Sequence, residues 1–183
     1  LRVSSVDDLL RALRPTGPQL SPRLDRQLDA LLVEAADCTR ATDSNVWQAA
    51  EDARLKAREM AGGALADRFD FRTNAPEIAE LRDHFGFRAS DNAGVPGVQA
   101  ALAAQALIGG VSRCVSIQVA NALDTHYDDW EDAQGPRQMA GFDAIARLAD
   151  YLAATEYQRT GRSWLDHTTI VGFSEFSRTP LIN

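Results

Sequence analysis

Residues 168–179 read TTIVGFSEFSRT, from Thr168 to Thr179. Thr168 to Phe173 is β-branched, apolar and uncharged, the pattern of a strand buried on both faces. It breaks into Ser174-Glu175-Phe176-Ser177-Arg178, so an acid and a guanidinium stand at the expected strand's C-terminal mouth. A second run of the same kind, Cys114 to Val119, leads into Asp124-Thr125-His126. Between the two, a segment from Pro136 carries Met139, Phe142, Ile145, Ala146, Ala149 and Leu152 at helical spacing. Strand, helix and strand in that order predict a right-handed crossover and parallel strands. The expected fold is therefore α/β, a parallel sheet segment with flanking helices. Its topology would gather Asp124, His126, Glu175 and Arg178 at one sheet edge, where open α/β sheets bind ligands.

Upstream, the chain reads as helices. Ser5 caps a short helix from Val6 to about Leu13, with Asp7 and Asp8 in its first turn, and Pro15, Gly17 and Pro18 stop it. Ser21-Pro22 opens an amphipathic helix whose Leu24, Leu28, Leu31, Leu32 and Ala35 form one stripe. A further helix from Asp43 or Ser44 carries Val46, Ala50, Ala53, Ala57 and Met60 until Gly62-Gly63, and its small residues suit close packing on the previous helix. Together they predict a helical hairpin. Asn74 to Phe85 holds a helix with Pro76 in its first turn and Ile78, Leu81 and Phe85 inward; His84 flanks it in a structural or solvated role. Ser90 to Gly97 is loop by composition, and the Ala-rich helix after it closes on Gly109-Gly110. Trp164 to His167 is the turn into the last expected strand, which places His167 on the edge away from the candidate site.

With 183 residues, 45% of them hydrophobic, the chain can bury one sizeable core. It reads as a single partial domain, 1–93 helical and 94–183 the α/β portion, and its start at Leu1 looks like an excerpt. A net charge of -7 argues against nucleic acid and against an anionic membrane surface. No apolar run approaches the roughly 20 residues of a membrane span. Cys38 and Cys114 are too few for a disulfide framework or a zinc ribbon, and Cys114 reads as a small core residue.

An imidazole and two carboxylates at one edge match what a divalent metal asks for: neutral nitrogen, anionic oxygen and an open position. Asp124 and His126, two apart, can point the same way from an extended segment; Glu175 completes a partial ligand set, and Arg178 suits an oxyanion. The alternative is that Asp124 caps a turn, His126 is solvated and Glu175 pairs with Arg178. Asp128, Asp129, Glu131 and Asp132, with Trp130 among them, read as a solvated acidic loop. Ser174 lacks the flanking glycines of a nucleophile elbow.

Asp124-Thr125-His126, the helix after it, and the run Ser-Glu-Phe-Ser-Arg-Thr-Pro-Leu-Ile-Asn from Ser174 to Asn183 resemble the C-terminal half of a bacterial sulfatase-like family, domain of unknown function 1501, related to the alkaline phosphatase and sulfatase superfamily. The likeness covers Gly94 to Asn183. It departs from the family pattern at Ser177, where glycine is usual, and at Leu123. The resemblance implies a metal-dependent hydrolase of phosphate or sulfate esters, acting on a small-molecule or glycan ester. Asp124, His126 and Glu175 would be metal ligands, and Arg178 and Thr179 would bind the anion. The cofactor would be a divalent ion (zinc, calcium, manganese or magnesium). It further implies twin-arginine export to the periplasm or beyond, and a nucleophile outside this stretch, so that the stretch would be inactive alone. The competing expectation is a non-catalytic sulfatase-like module that binds a glycan or a protein partner.

Overall fold

Helix-end chemistry sets the architecture. In the computed structural model the described residues are 6–14, 21–38, 45–61, 64–123 and 131–174. Seven α-helices lie among them: α1 Val6–Leu13, α2 Pro22–Cys38, α3 Asn45–Ala61, α4 Ala64–Asp67, α5 Pro76–Phe85, α6 Pro96–Ile108 and α7 Gln134–Ala154. A 3-10 turn follows at Leu165–His167. The chain divides into two units, Leu1–Asp70 and Phe71–Asn183.

In the first unit, α1 buries Leu9, Leu10 and Leu13, while Leu65 and Ala66 of α4 and the following Phe69 are also buried. Ser21 caps α2 as expected, its Oγ accepting the Leu24 N–H at 3.4 Å. The facing sides of α2 and α3 depart from expectation. Leu24, Leu28 and Leu31 are exposed, and so are Val46, Ala50, Ala53 and Ala57. The two helices are joined instead by charge. Arg54 grips Glu51 through Nε and Nη2 at 2.8 and 2.6 Å and reaches Asp29 at 2.9 Å. Arg58 bonds both Asp25 and Asp29. Asp25 and Asp29 lie four apart on α2, as Arg54 and Arg58 do on α3, so the guanidinium forks meet matching carboxylates. Periodicity found the stripes but not which side meets the neighbouring helix.

In the second unit α5, α6 and α7 pack together. Ile78, Leu81 and Phe85 are buried as expected, with Val98, Ala100, Ala101 and Ala104 of α6 and Ala144, Leu148 and Leu152 of α7. Gly86 ends α5 in the left-handed region at φ 70°, the Phe87 N–H reaching back to the Arg82 carbonyl at 3.1 Å. Gly109-Gly110 closes α6 the same way, Val111 N–H donating to the Ala106 carbonyl at 2.9 Å. Gly97 is required for close approach: a Cβ there would stand 2.3 Å from the Phe85 carbonyl oxygen, so α6 begins against the end of α5.

The expected parallel sheet is contradicted. Among the described residues there is no strand ladder, only an isolated antiparallel bridge between Glu156 and Ser163. Cys114 to Val119 forms no ladder; Val115, Ile117 and Val119 are half-buried while Ser116 and Gln118 are exposed, so one face packs rather than two. Cys114 itself is exposed rather than a core residue. Thr168 to Ser174 likewise forms no ladder, with Val171 at 61% and Phe173 at 93% exposure. A β-branched run is strand-competent, but a strand exists only when a second backbone supplies the ladder, and propensity cannot provide that partner. α7 is turned from its predicted face: Leu152 is buried as expected, but Met139 and Phe142 are exposed, and Gly141, Ala144 and Leu148 face inward instead.

Candidate functional site

Asn121 to Leu123 carries the chain toward Asp124, and a cleft lies beside this stretch. The loop ahead of α6 is ordered by its own polar groups: Asn92 Oδ1 accepts the Gly94 N–H at 2.8 Å, and Asp91 Oδ2 accepts the Arg88 N–H at 2.8 Å. Gln99 Nε2 donates to the Ala93 carbonyl at 2.5 Å and ties the loop to the helix. On the other side, the segment through Val119 comes close to α7 at Gly141. A Cβ at Gly141 would stand 2.9 Å from the Val119 carbonyl oxygen, so the absence of a side chain there allows this approach.

The resulting cleft, about 180 Å³, is lined by Gly94, Pro96, Gln118, Asn121, Arg137 and Ala140 together with Val119 and Ala120. That is below the range of roughly 300–1,000 Å³ typical of pockets for drug-sized ligands, and it suits a group the size of phosphate or sulfate. Among the described residues no carboxylate lines it. Pro96 at the start of α6 brings the positive end of that helix's dipole to the cleft, and α6 has no side-chain cap. Arg137 adds a full positive charge, and Gln118 and Asn121 add amide groups. The lining favours a small anion.

Ala122 adds local strain. Its φ is 50°, in the left-handed region that costs a residue with a Cβ about 1–2 kcal/mol, and the Arg137 guanidinium donates to its carbonyl oxygen. The segment entering Asp124-Thr125-His126 is thus held in a strained turn by a side chain of the cleft.

Asp124, Thr125 and His126 lie outside the described residues, as do Glu175, Arg178 and Thr179, together with Asp128, Asp129 and Trp130 of the acidic loop. Glu131 and Asp132 are exposed. Among the described residues no group of three or more His, Cys, Asp or Glu side chains could hold a metal ion. His84 is structural, its Nε2 donating to the Arg147 carbonyl at 2.8 Å. His167 stacks near Tyr157, ring centres 4.2 Å apart, in the turn where it was expected. Arg137 and Ala122 were missed by sequence reasoning. One signal for Arg137 was present: it sits in the first turn of α7, where the helix dipole disfavours a cation. Nothing in the sequence marks Ala122.

Compared with known proteins, the chain matches no protein-family model, no curated protein and no solved structure. Among the described residues no helix is long and apolar enough to cross a membrane.

Proposed function

We propose that this chain takes part in metal-dependent hydrolysis of phosphate or sulfate esters, with Asp124-Thr125-His126 as the metal-binding stretch. The single observation that carries the reading is the strained Ala122, held by Arg137, at the junction between an anion-suited cleft and that stretch. The donor set fits a hard-to-borderline divalent cation, since it offers two carboxylates and one imidazole. Zinc, calcium, manganese or magnesium held by Asp124, His126 and Glu175 would supply Lewis-acid polarisation of the ester. In this reading Arg178 and Thr179 bind the ester's oxyanion. Arg137 and the start of α6 seat an anionic group and orient it toward the metal-binding stretch.

The test is metal content by elemental mass spectrometry on the chain and on His126→Ala and Glu175→Ala variants, after exposure to each of the four ions. Stoichiometric metal lost in both variants supports the reading. No retained metal in the unaltered chain overturns it. Arg137→Ala separates the two parts of the site: weakened binding of inorganic phosphate with unchanged metal content assigns the cleft to the anion.

A further inference from the structure

We propose that Arg137 is an anion-responsive clamp: an oxyanion seated in the cleft is gripped by one edge of its guanidinium, which strengthens the hold of the other edge on the strained Ala122. Arg137 Nη1 donates to the Ala122 carbonyl, whereas its Nε and Nη2 have no hydrogen-bond partner among the described residues. Nε and Nη2 form the edge of the planar fork that takes two oxygens of one anion, so a single guanidinium can serve the carbonyl and the anion together. The side-chain amides of Gln118 and Asn121, which line the same cleft, are likewise unbonded among the described residues and can donate to that anion. The step from this clamp to metal affinity rests on the reading given above, in which Asp124-Thr125-His126 binds metal; the clamp itself does not.

The turn at Ala122 is not made by local preference. Its φ of 50° lies where a Cβ is disfavoured, while Asn121, a residue type that enters this region more readily, stands one position earlier. The Arg137 hydrogen bond is the described contact that holds the Ala122 carbonyl in place. Arg137 is exposed, so fixing its long side chain for that one bond costs rotamer entropy. An anion on the Nε–Nη2 edge fixes the same rotamers, so the ordering cost is incurred once for two contacts and each reinforces the other. The coupling is therefore positive, and it is reciprocal: the factor by which the anion favours the Ala122 turn is the factor by which the turn favours the anion. The cost of the left-handed turn corresponds to a population ratio of about five to thirty, which bounds the effect from above. Where the stretch after Ala122 holds a metal in this turn, the anion raises metal affinity within the same bound.

The test uses the full chain with inorganic sulfate as the probe, against chloride at equal ionic strength so that general screening is the same in both. Amide hydrogen exchange on peptides spanning residues 119–126 should slow about fivefold in saturating sulfate. Arg137→Lys keeps the charge but offers a point ammonium in place of the two-edged fork, so it should still bind sulfate by calorimetry while its exchange no longer responds. Ala122→Gly removes the Cβ cost of the turn and should cut the sulfate effect to about threefold or less, with sulfate binding retained. Helix content by circular dichroism should be unchanged in both variants. Manganese affinity by equilibrium dialysis should rise about fivefold in sulfate for the unaltered chain and stay constant for Arg137→Lys. Exchange that ignores saturating sulfate, or that slows equally in Arg137→Lys, overturns the clamp whatever the metal does. Sulfate that binds Arg137→Ala as tightly as the unaltered chain overturns it equally. A chain that binds no manganese, yet slows its exchange in sulfate through Arg137, supports the clamp and overturns the metal reading alone.

Discussion

His84 and Arg147 exchange hydrogen bonds between α5 and α7: Arg147 Nη1 donates to the His84 carbonyl at 2.7 Å, and His84 Nε2 donates to the Arg147 carbonyl at 2.8 Å. A carbonyl can only accept, so Nε2 carries a proton. Arg147 also holds Asp143 at 2.7 Å, and its guanidinium carbon would lie 3.4 Å from a Cβ at Gly86. The pair joins the left-handed end of α5 to the middle of α7. His84→Ala should cost about 1–2 kcal/mol in urea denaturation, and Arg147→Ala more, because it also releases Asp143. A double-mutant cycle should show coupling of about 0.5 kcal/mol or more. Additive losses would mean that the two bonds do not act together.

Gly97 and Gly141 are the described glycines at which an added Cβ would press on a backbone carbonyl. Gly97→Ala sets a methyl against the Phe85 carbonyl and should destabilise by about 1–3 kcal/mol, as overpacking does. Gly141→Ala pushes on the Val119 carbonyl instead and should weaken phosphate binding at the cleft along with stability. Thermal midpoints and phosphate titration separate the two effects. Unchanged midpoints in both variants would contradict these close approaches.

Gln158 and Arg159 both sit in the left-handed region, at φ 46° and 60°, and the Thr160 N–H donates to the Tyr157 carbonyl at 2.9 Å. This is the backbone of a type I′ turn, which Asn-Gly adopts with least strain. Gln158→Asn with Arg159→Gly should raise stability by about 1 kcal/mol. A lower thermal midpoint in the double variant would refute the assignment.

Acid sensitivity should come partly from Asp29 and Asp166. Hydrogen bonds from Arg58, and then from Arg54, hold the Asp29 carboxyl below the usual range. For Asp166 the causes are the backbone N–H and then the hydroxyl of Ser163, the hydroxyl in turn accepting the Asp166 N–H at 3.2 Å. Both groups have folded values below their unfolded ones. Their stabilisation is therefore complete above about pH 4 and is lost as the pH falls through the folded values. In thermal melts between about pH 6 and about pH 2, Asp29→Asn should lower the midpoint at the upper end and flatten the fall at the lower end. An acid limb of unchanged slope would remove Asp29 from this account.

The order of helices was legible because their ends are written locally. Ser21-Pro22, Pro76 and Gly109-Gly110 act within a turn of themselves, so α2 and α5 start, and α6 stops, where capping and proline chemistry require, whereas Pro96 and Gly97, read as loop, already belong to α6. The Asp-Thr-His stretch was legible as a candidate for the same reason, being a matter of residue type and spacing. The cleft beside it was not, because Pro96, Gln118 and Arg137 converge from distant parts of the chain.

What the sequence by itself determined is where α1, α2, α3 and α5 lie, though not α4, and that α2 and α3 each carry an apolar stripe. Only the tertiary structure decided which side each helix turns inward, because that depends on the partner: Asp25 and Asp29 meet Arg58 and Arg54, and Leu24, Leu28 and Leu31 are left outside. It also decided that Cys114 to Val119 and Thr168 to Ser174 form no ladder. A helix satisfies its hydrogen bonds within itself, whereas a strand must find them in another backbone, so helix content follows from local sequence and sheet content does not.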